Sequence, residues 1–598
     1  MKKIQYITSL LYVTIALILT GCFDLDKFPE GELSSTNALS SNSEMEKYLN
    51  QFYESAVKTQ PGGLASAVGI AFGDQRSDNM VNASPNVRLS GLTTLSDAST
   101  LSQYNYIRNL NFFLANVDNN KEEGPEKKHL IGEAYYFRAW YYFQLVKNYG
   151  DVAWVSKELN MNEASQPRES RLVIIDHILN DLDLAISFLK EVNSNVSMRV
   201  HRDVARIFKS EVALFEATWQ KYHKAKIDPF YSKEVTDIKI KSYFEQARDA
   251  AKAVIDRGVW NIHSSGEKPY QNMFINLDLT SNKEILWWKK YNAAENIGHS
   301  VTRYINEGGG QTGISQSLID DYLSVDGKIF TGVERSDAQK IYGKELSPDL
   351  RDPRLSQTVC WSGTQLKPDG LKYSFPPLHV TTYHQNTTGY SLLKFNEYNT
   401  TYAASVTGEF KAQVPAIQYR YAEALLTYAE ALAELDGAGN QELIKAALKP
   451  LRDRVGMPGV DFDREYNNDP AYPFYNLNKY IQVVRRERRV ELACEGFRFD
   501  DIMRWAAADE LIVGKRPLGA LYTGSTLQEQ NAPGGYYNGV LKIGSNIQIN
   551  DQGYIDPYKT VLPNGFGFKV GRDYLLPIQE RMLTLTDNLW QQNPGWQK

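Results

Sequence analysis

The stretch from Arg485 to Trp505, RRERRVELACEGFRFDDIMRW, restricts the fold of this chain more than any other, because it sets a dense run of charge on a segment that also carries an apolar stripe. At 100° per residue Val483, Val490, Ala493, Cys494 and Phe497 fall on one side, and Glu487, Glu491 and Glu495 form an adjoining acidic strip. The segment therefore reads as an amphipathic helix. Arg486 falls inside the apolar stripe, and a guanidinium buried there must find carboxylate or carbonyl partners to offset its desolvation. Three readings compete: a catalytic helix, a nucleic-acid-binding arm and an internal clasp.

Bulk charge decides against the arm. The chain holds 66 Lys and Arg against 71 Asp and Glu, a formal net charge of -5, whereas a phosphate backbone asks for a basic face. No nucleic-acid partner is expected. Glycoside hydrolysis needs a carboxylic acid and a carboxylate roughly 5 to 10 Å apart across a cleft, but Glu487, Glu491 and Glu495 follow one another along a single helix. There is no nucleophile motif, no HExxH, no paired CxxC and no Cys and His cluster at metal-ligand spacing, so the sequence nominates no enzyme activity, no metal and no cofactor. The clasp remains. It expects Arg486 to meet a carboxylate inside the fold, and Asp500, Asp501, Arg504 and Trp505 to lock the segment's end against neighbouring helices.

At the amino terminus Lys2 and Lys3 precede an apolar segment from Ile4 to Leu19, which runs into Leu19-Thr20-Gly21-Cys22. This pattern is a secretion signal. Small residues before a cysteine in that place resemble the lipobox of bacterial lipoproteins, in which cleavage before the cysteine accompanies its acylation. Residues 1–21 are read as a lipoprotein signal peptide, Cys22 as the lipidated residue, and residues 22–43, acidic and Ser-rich, as a tether. After the leader no apolar run is long enough to span a bilayer, and the mean hydropathy is -0.44.

Helical periodicity organises much of the remainder. Helices are expected from about Glu44, over Tyr104 to Val117, through Leu130, Ala134, Phe137, Tyr141 and Leu145 to a stop near Tyr149-Gly150-Asp151, and over Arg171 to Leu189, Asp203 to Tyr222 and Tyr243 to Arg257. A later stripe of Ile417, Tyr421, Ala424, Leu425, Tyr428, Leu432 and Leu435 pairs with a helix over Glu442 to Val455. Alanines at the crossings with Tyr and Leu between them suit stacked hairpins like tetratricopeptide repeats, although that repeat's signature is incomplete. The fold class is thus mainly α, a tetratricopeptide-like hairpin scaffold with an irregular, loop-rich second region. Residues 44–259 form the N-terminal helical region, 260–415 the irregular region and 416–598 a C-terminal helical region with a loop insertion at 514–563. Within the irregular region Ile285 to Trp288 reads as a strand, Ile314 to Tyr322 as a short helix, LRDPRL from Leu350 as a fixed bend with ion pairs, and Tyr373 to Tyr402 as the densest aromatic stretch.

Six segments in this order resemble the SusD/RagB family of nutrient-binding outer-membrane lipoproteins: Cys22 with Asp24-Leu25 and Pro29, GEAYYFRAWYYFQLVKNYGDV from Gly132, LRDPRL from Leu350, YRYAEALLTYAEALAEL from Tyr419, ERRVELACEGFRFDDIMRW from Glu487, and LLPIQERMLTLTDNLWQQNPGW from Leu575. The resemblance implies four tetratricopeptide-like hairpins and a ligand site in the irregular region, with no catalysis. It further implies a lipid anchor on the outer face of the outer membrane, a SusC-like TonB-dependent transporter as partner, and an oligosaccharide, or less often a peptide-like nutrient, as ligand. Ala153-Trp154 and Cys494 depart from the family pattern, and no aromatic stands ahead of Tyr104 and Ile107 where the starch-binding type has one, so starch is not implied.

A sugar offers C–H faces and hydroxyls, so its site needs aromatic planes and a few hydrogen-bonding groups on a concave surface. Trp361, Tyr373, Tyr383, His384 and Tyr390 have that chemistry in the irregular region, and Tyr304 with Asn306, ahead of three glycines, adds to it. Asp74 and Asp78 either contact ligand or cap a turn.

Overall fold

A computed structural model describes residues 38–597 apart from 64–68, 161–162, 164, 399–407 and 587–588. The leader, Cys22, most of the tether and the end of the aromatic stretch lie outside the described residues. No described helix is long and apolar enough to cross a membrane.

The helices expected from periodicity form an array. It comprises α1 (Asn42–Ala56), α2 (Gln103–Ala115), α3 (Pro125–Tyr149), α4 (Arg171–Phe188), α5 (Arg202–Lys226), α6 (Asp237–Ile255), α7 (Tyr421–Asp436) and α8 (Gln441–Asp453). From α2 onward each packs on the next, and α6 packs on α7 although the whole irregular region separates them in sequence. Local chemistry sets the ends: the Ser41 side chain accepts from the Glu44 N–H, Pro125 opens α3 where its missing donor is no loss, and Gly150 closes α3 at φ +70°. Ala247 and Ala251 of α6 and Ala422, Ala424 and Ala429 of α7 are all buried, small enough to let the packed helices approach closely.

The stripe expected from Ile417 to Leu435 is in fact a strand followed by a helix. β2 (Ile285–Lys289) pairs antiparallel with β4 (Ala416–Arg420), and α7 begins at Tyr421. All five residues of β4 are buried, so it shows no alternation that would tell strand from helix. This pair joins the chain's exit from the array to its return. A second antiparallel pair, β1 (Met80–Asn82) with β3 (Thr312–Ile314), ties the loop after α1 to the irregular region. One apolar core fills the array. Another gathers Phe72 and Met80, the irregular region's Trp288, Ile314, Tyr390 and Phe395, and Ala520, Tyr537 and Ile555 of the later loops.

The stretch Arg485 to Trp505 joins the two cores, as two helices and not one. α9 (Lys479–Glu491) and α10 (Arg498–Arg504) flank a turn in which Cys494 has φ +63° and Gly496 φ +84°. The break has a specific cause: the buried Asp74 carboxylate accepts from the N–H groups of Cys494 (2.9 Å) and Gly496 (3.1 Å). A Cβ on Gly73 would lie 2.7 Å from the Gly496 Cα, so glycine is needed where these two turns touch.

The acidic strip, with Glu487 and Glu491 on α9 and Glu495 in the turn after it, is wholly buried and paired. Glu491 accepts from Arg354 (2.9 Å), Arg420 (2.7 Å) and Arg454 (2.6 and 2.5 Å), Glu487 from Arg354 (2.7 Å) and Arg452 (2.6 Å), and Glu495 from Arg420 (2.7 Å) and Lys394 (2.8 Å). Glu284 closes the network through Arg420 at 2.9 Å. Against the burial that would raise it, Arg454, Arg420 and Arg354 hold Glu491 well below the usual carboxylate range. These partners come from the LRDPRL bend, the strand pair, α8 and the irregular region, so the network is a clasp across the molecule. At its far end Arg504 and the Trp505 indole N–H donate to Glu430 of α7 at 2.6 and 2.9 Å, and Lys147 of α3 meets Asp500 at 2.8 Å. Arg486 departs from expectation: it donates to the Glu465 carbonyl (2.5 Å) and the Gln482 side chain (3.3 Å), not to a carboxylate.

Candidate ligand-binding surface

Six of the residues nominated from sequence lie in the interior. Asp74 caps the α9–α10 turn, and Asp78 forms ion pairs with Arg489 (2.9 Å) and Arg498 (2.7 Å), which hold it well below the carboxylate range in spite of its burial. The Tyr373 hydroxyl meets the hydroxyls of Tyr342 (2.8 Å) and Ser391 (3.0 Å), and the Tyr390 hydroxyl meets Gln316 (2.6 Å) and Glu345 (2.5 Å). Tyr304 donates to Glu409 at 2.9 Å, and Asn306, 1 % exposed, ends a short helix, Val301–Ile305. None of these rings or amides presents a face on which a ligand could stack.

Trp361, Tyr383 and His384 remain partly exposed, and the last two lie at the centre of a surface. Their rings are 4.2 Å apart. The Arg303 guanidinium lies 4.9 Å from the Tyr383 ring, donates to its hydroxyl at 3.3 Å and pairs with Glu409 at 3.3 Å. Beside Glu409, Phe410 is 56 % exposed and adopts φ +55°, a left-handed conformation that costs a bulky residue energy and is a mark of functional segments. On the other side the His384 Nε2 is 3.6 Å from Glu307, which pairs with Lys367 at 2.5 Å. Burial, together with Lys367 and Arg303, lowers the His384 pKa against the pull of Glu307, which keeps the imidazole neutral near pH 7. A Cβ on Gly309 would fall 1.8 Å from the His384 carbonyl oxygen, so the glycine run after Glu307 is what lets the two loops meet.

A second aromatic group forms around Tyr536, whose hydroxyl pKa is raised by burial and, to a lesser degree, by the Glu307 charge. Tyr536 is 42 % exposed, with Phe375 and His379 centred 5.7 and 5.4 Å from it. The loops 373–384 and 534–537 thus converge, a tertiary contact that neither sequence stretch signals alone. Sequence reasoning passed over Arg303, Glu307, Lys367 and Phe410; the only hint was their nearness to Tyr304 and to the glycine run. Trp361 stands apart in a turn closed through Thr364 and packs on the second core. Exposed rings among charged and imidazole groups can stack on the C–H faces of a sugar and bond its hydroxyls. Among the described residues no group of three or more His, Cys, Asp or Glu is placed to hold a metal ion.

Residues 283–596 match the model that describes the SusD family. The chain belongs to the SusD family. Residues 25–214 match a second SusD-like model, described as starch-binding and associating with the outer membrane. SusD-like protein P2 of Formosa agariphila is 21% identical over 98% of this chain and 99% of its own. Among solved structures, a SusD-like carbohydrate-binding protein of Bacteroides fragilis aligns with a TM-score of 0.70 at 23% identity, covering 93% of this chain and all of that one. A laminarin-binding SusD-like protein aligns at 0.55 and 18% identity, again over 93% of this chain and 100% of the other. These likenesses confirm the SusD fold: a mainly helical scaffold carrying a loop-rich second region.

Proposed function

We propose that the protein is a cell-surface glycan-binding lipoprotein, anchored in the outer membrane through acyl chains on Cys22, that delivers an oligosaccharide to a SusC-like TonB-dependent transporter. Family membership supports the role and the membrane association. The observation that carries the ligand class is the pair of exposed rings, Phe410 beside the group of Glu409, Arg303, Tyr383, His384 and Glu307, and Tyr536 against Phe375 and His379. Such a surface binds by stacking and hydrogen bonding, and in this role the bound glycan leaves it intact.

The test is titration of a panel of neutral oligosaccharides into the intact protein. Alanine at Phe410, Tyr383 or Tyr536 is expected to weaken binding about five- to thirtyfold, the equivalent of roughly 1–2 kcal/mol for one stacked ring, with no change in melting temperature. Trp361→Ala is the outlying member of the set and tests whether the surface extends to it. Unchanged affinity in all four variants, or shortened oligosaccharide recovered after incubation, sinks the reading.

A further inference from the structure

Away from the aromatic surface a cleft of about 530 Å3 opens where α9 and α10 face the short helix Gln316–Asp321 and residues 467–474 and 511–518. That volume suits a small ligand, for which pockets run to roughly 300–1,000 Å3. Part of the wall is aromatic, with Phe330, Tyr472 and Phe474, and part is ionic, with six cationic side chains against four carboxylates. Most of these charges are paired: Arg489 and Arg498 with Asp78, Arg489 also with Asp321, Arg335 with Asp320, and Arg516 with Asp556 behind the wall.

Two cations are not. Arg486, 4 % exposed, donates to a carbonyl and an amide oxygen, and Lys515, exposed at the mouth, donates to the Glu510 carbonyl. Among the described residues no carboxylate lies within ion-pairing distance of either. Asp469, exposed on the rim, is the lining carboxylate without a cation. A guanidinium this deeply buried without a counter-charge is costly. Bordering an open cleft, it leaves that counter-charge for a ligand to supply.

We propose that this cleft binds the acidic unit of an anionic oligosaccharide, a uronate carboxylate or a sugar sulfate, with Arg486 and Lys515 taking the charge and Tyr472 the C–H face. The inference rests on the glycan-binding reading but uses a separate place on the protein, so the two fail separately.

Isothermal titration of the intact protein with two matched pairs tests it: tetragalacturonate against its full methyl ester, and a sulfated galactan tetramer against its desulfated form. At least one acidic member is expected to bind tenfold or more tightly than its neutral partner, and the pair that does so tells carboxylate from sulfate. Arg486→Gln and Lys515→Gln are each expected to cut that affinity about tenfold, and Glu442→Gln, exposed on α8 outside both sites, to leave it unchanged. Should Arg486→Gln fail to fold, the exposed Lys515→Gln carries the comparison. Equal binding of acidic and neutral members, indifference to both cleft variants, or no binding of either acidic probe overturns the inference. If neutral oligosaccharides still bind in that last case the proposed function stands, and silence across both panels ends both.

Discussion

Replacing Glu491 with Gln removes the central acceptor of the clasp while keeping its shape. Its two oxygens take contacts from Arg354, Arg420 and Arg454, and all four side chains are 1 % exposed or less. The amide keeps one acceptor but turns N–H donors toward a guanidinium, so donor faces donor where no water can relieve it. Breaking a buried ion network by losing one partner costs about 3–5 kcal/mol. For a chain of this length the unfolding entropy is on the order of 1 kcal/mol/K, so the melting temperature should fall by about 3–5 °C when the chain unfolds as one unit. The pH dependence adds a signature. Because the native carboxylate is held well below its unfolded pKa, its contribution is complete above about pH 4.5 and shrinks as the pH falls toward the native value. Calorimetry at pH 7 and pH 4 reads both effects, with Glu442→Gln, an exposed pair with Lys445, as the control expected to show no change. Equal midpoints for wild type and Glu491→Gln at pH 7, or a gap that stays constant into acid, would refute the assignment of the clasp as a stabilising network.

Three further outcomes are expected. Burial raises the Glu423 pKa to about 7, so this carboxyl costs stability as the pH climbs from about 4.5 to 7; Glu423→Gln should flatten that slope and melt higher than wild type at pH 8, by an amount on the order of 3 kcal/mol. Gly309→Ala should drive apart the loops that carry Glu307 and His384, seen as lost glycan affinity with the scaffold's helical circular dichroism retained. Cys22→Ala should release the protein from the membrane, and continued partitioning into the detergent phase would count against the lipid anchor.

The helical scaffold was legible because Ala, Tyr and Leu recur at helical spacing and because Gly150 marks an end by local chemistry. The clasp was legible as well, since a charge-dense strip beside an apolar one has few places to go. What escaped depended on distant partners. β4 is buried on both faces and so carries no period. The break after Glu491 is imposed by Asp74, far away in the chain, and Arg486 found a carbonyl only because residue 465 arrives beside it. The ligand surface was legible by region but not by residue. Tyr hydroxyls and Asn amides that suit a sugar suit a protein interior equally well, and Tyr373, Tyr390, Tyr304 and Asn306 are used that way. Phe410 and Tyr536, by contrast, stand out through exposure, which composition does not encode.

The strand pair at the base of the irregular region bears on how such a molecule changes over time. β2 and β4 hold the chain's departure from the array and its return side by side, so everything between Lys289 and Ala416 is a closed loop whose ends are already fixed. The entropy of closing a loop grows only with the logarithm of its length, and doubling it costs about 0.6 kcal/mol. Insertions and deletions in its surface turns, away from the clasp, β3 and the second apolar core, therefore cost the scaffold little, and the loops that carry exposed rings can change length while the frame beneath them stays the same.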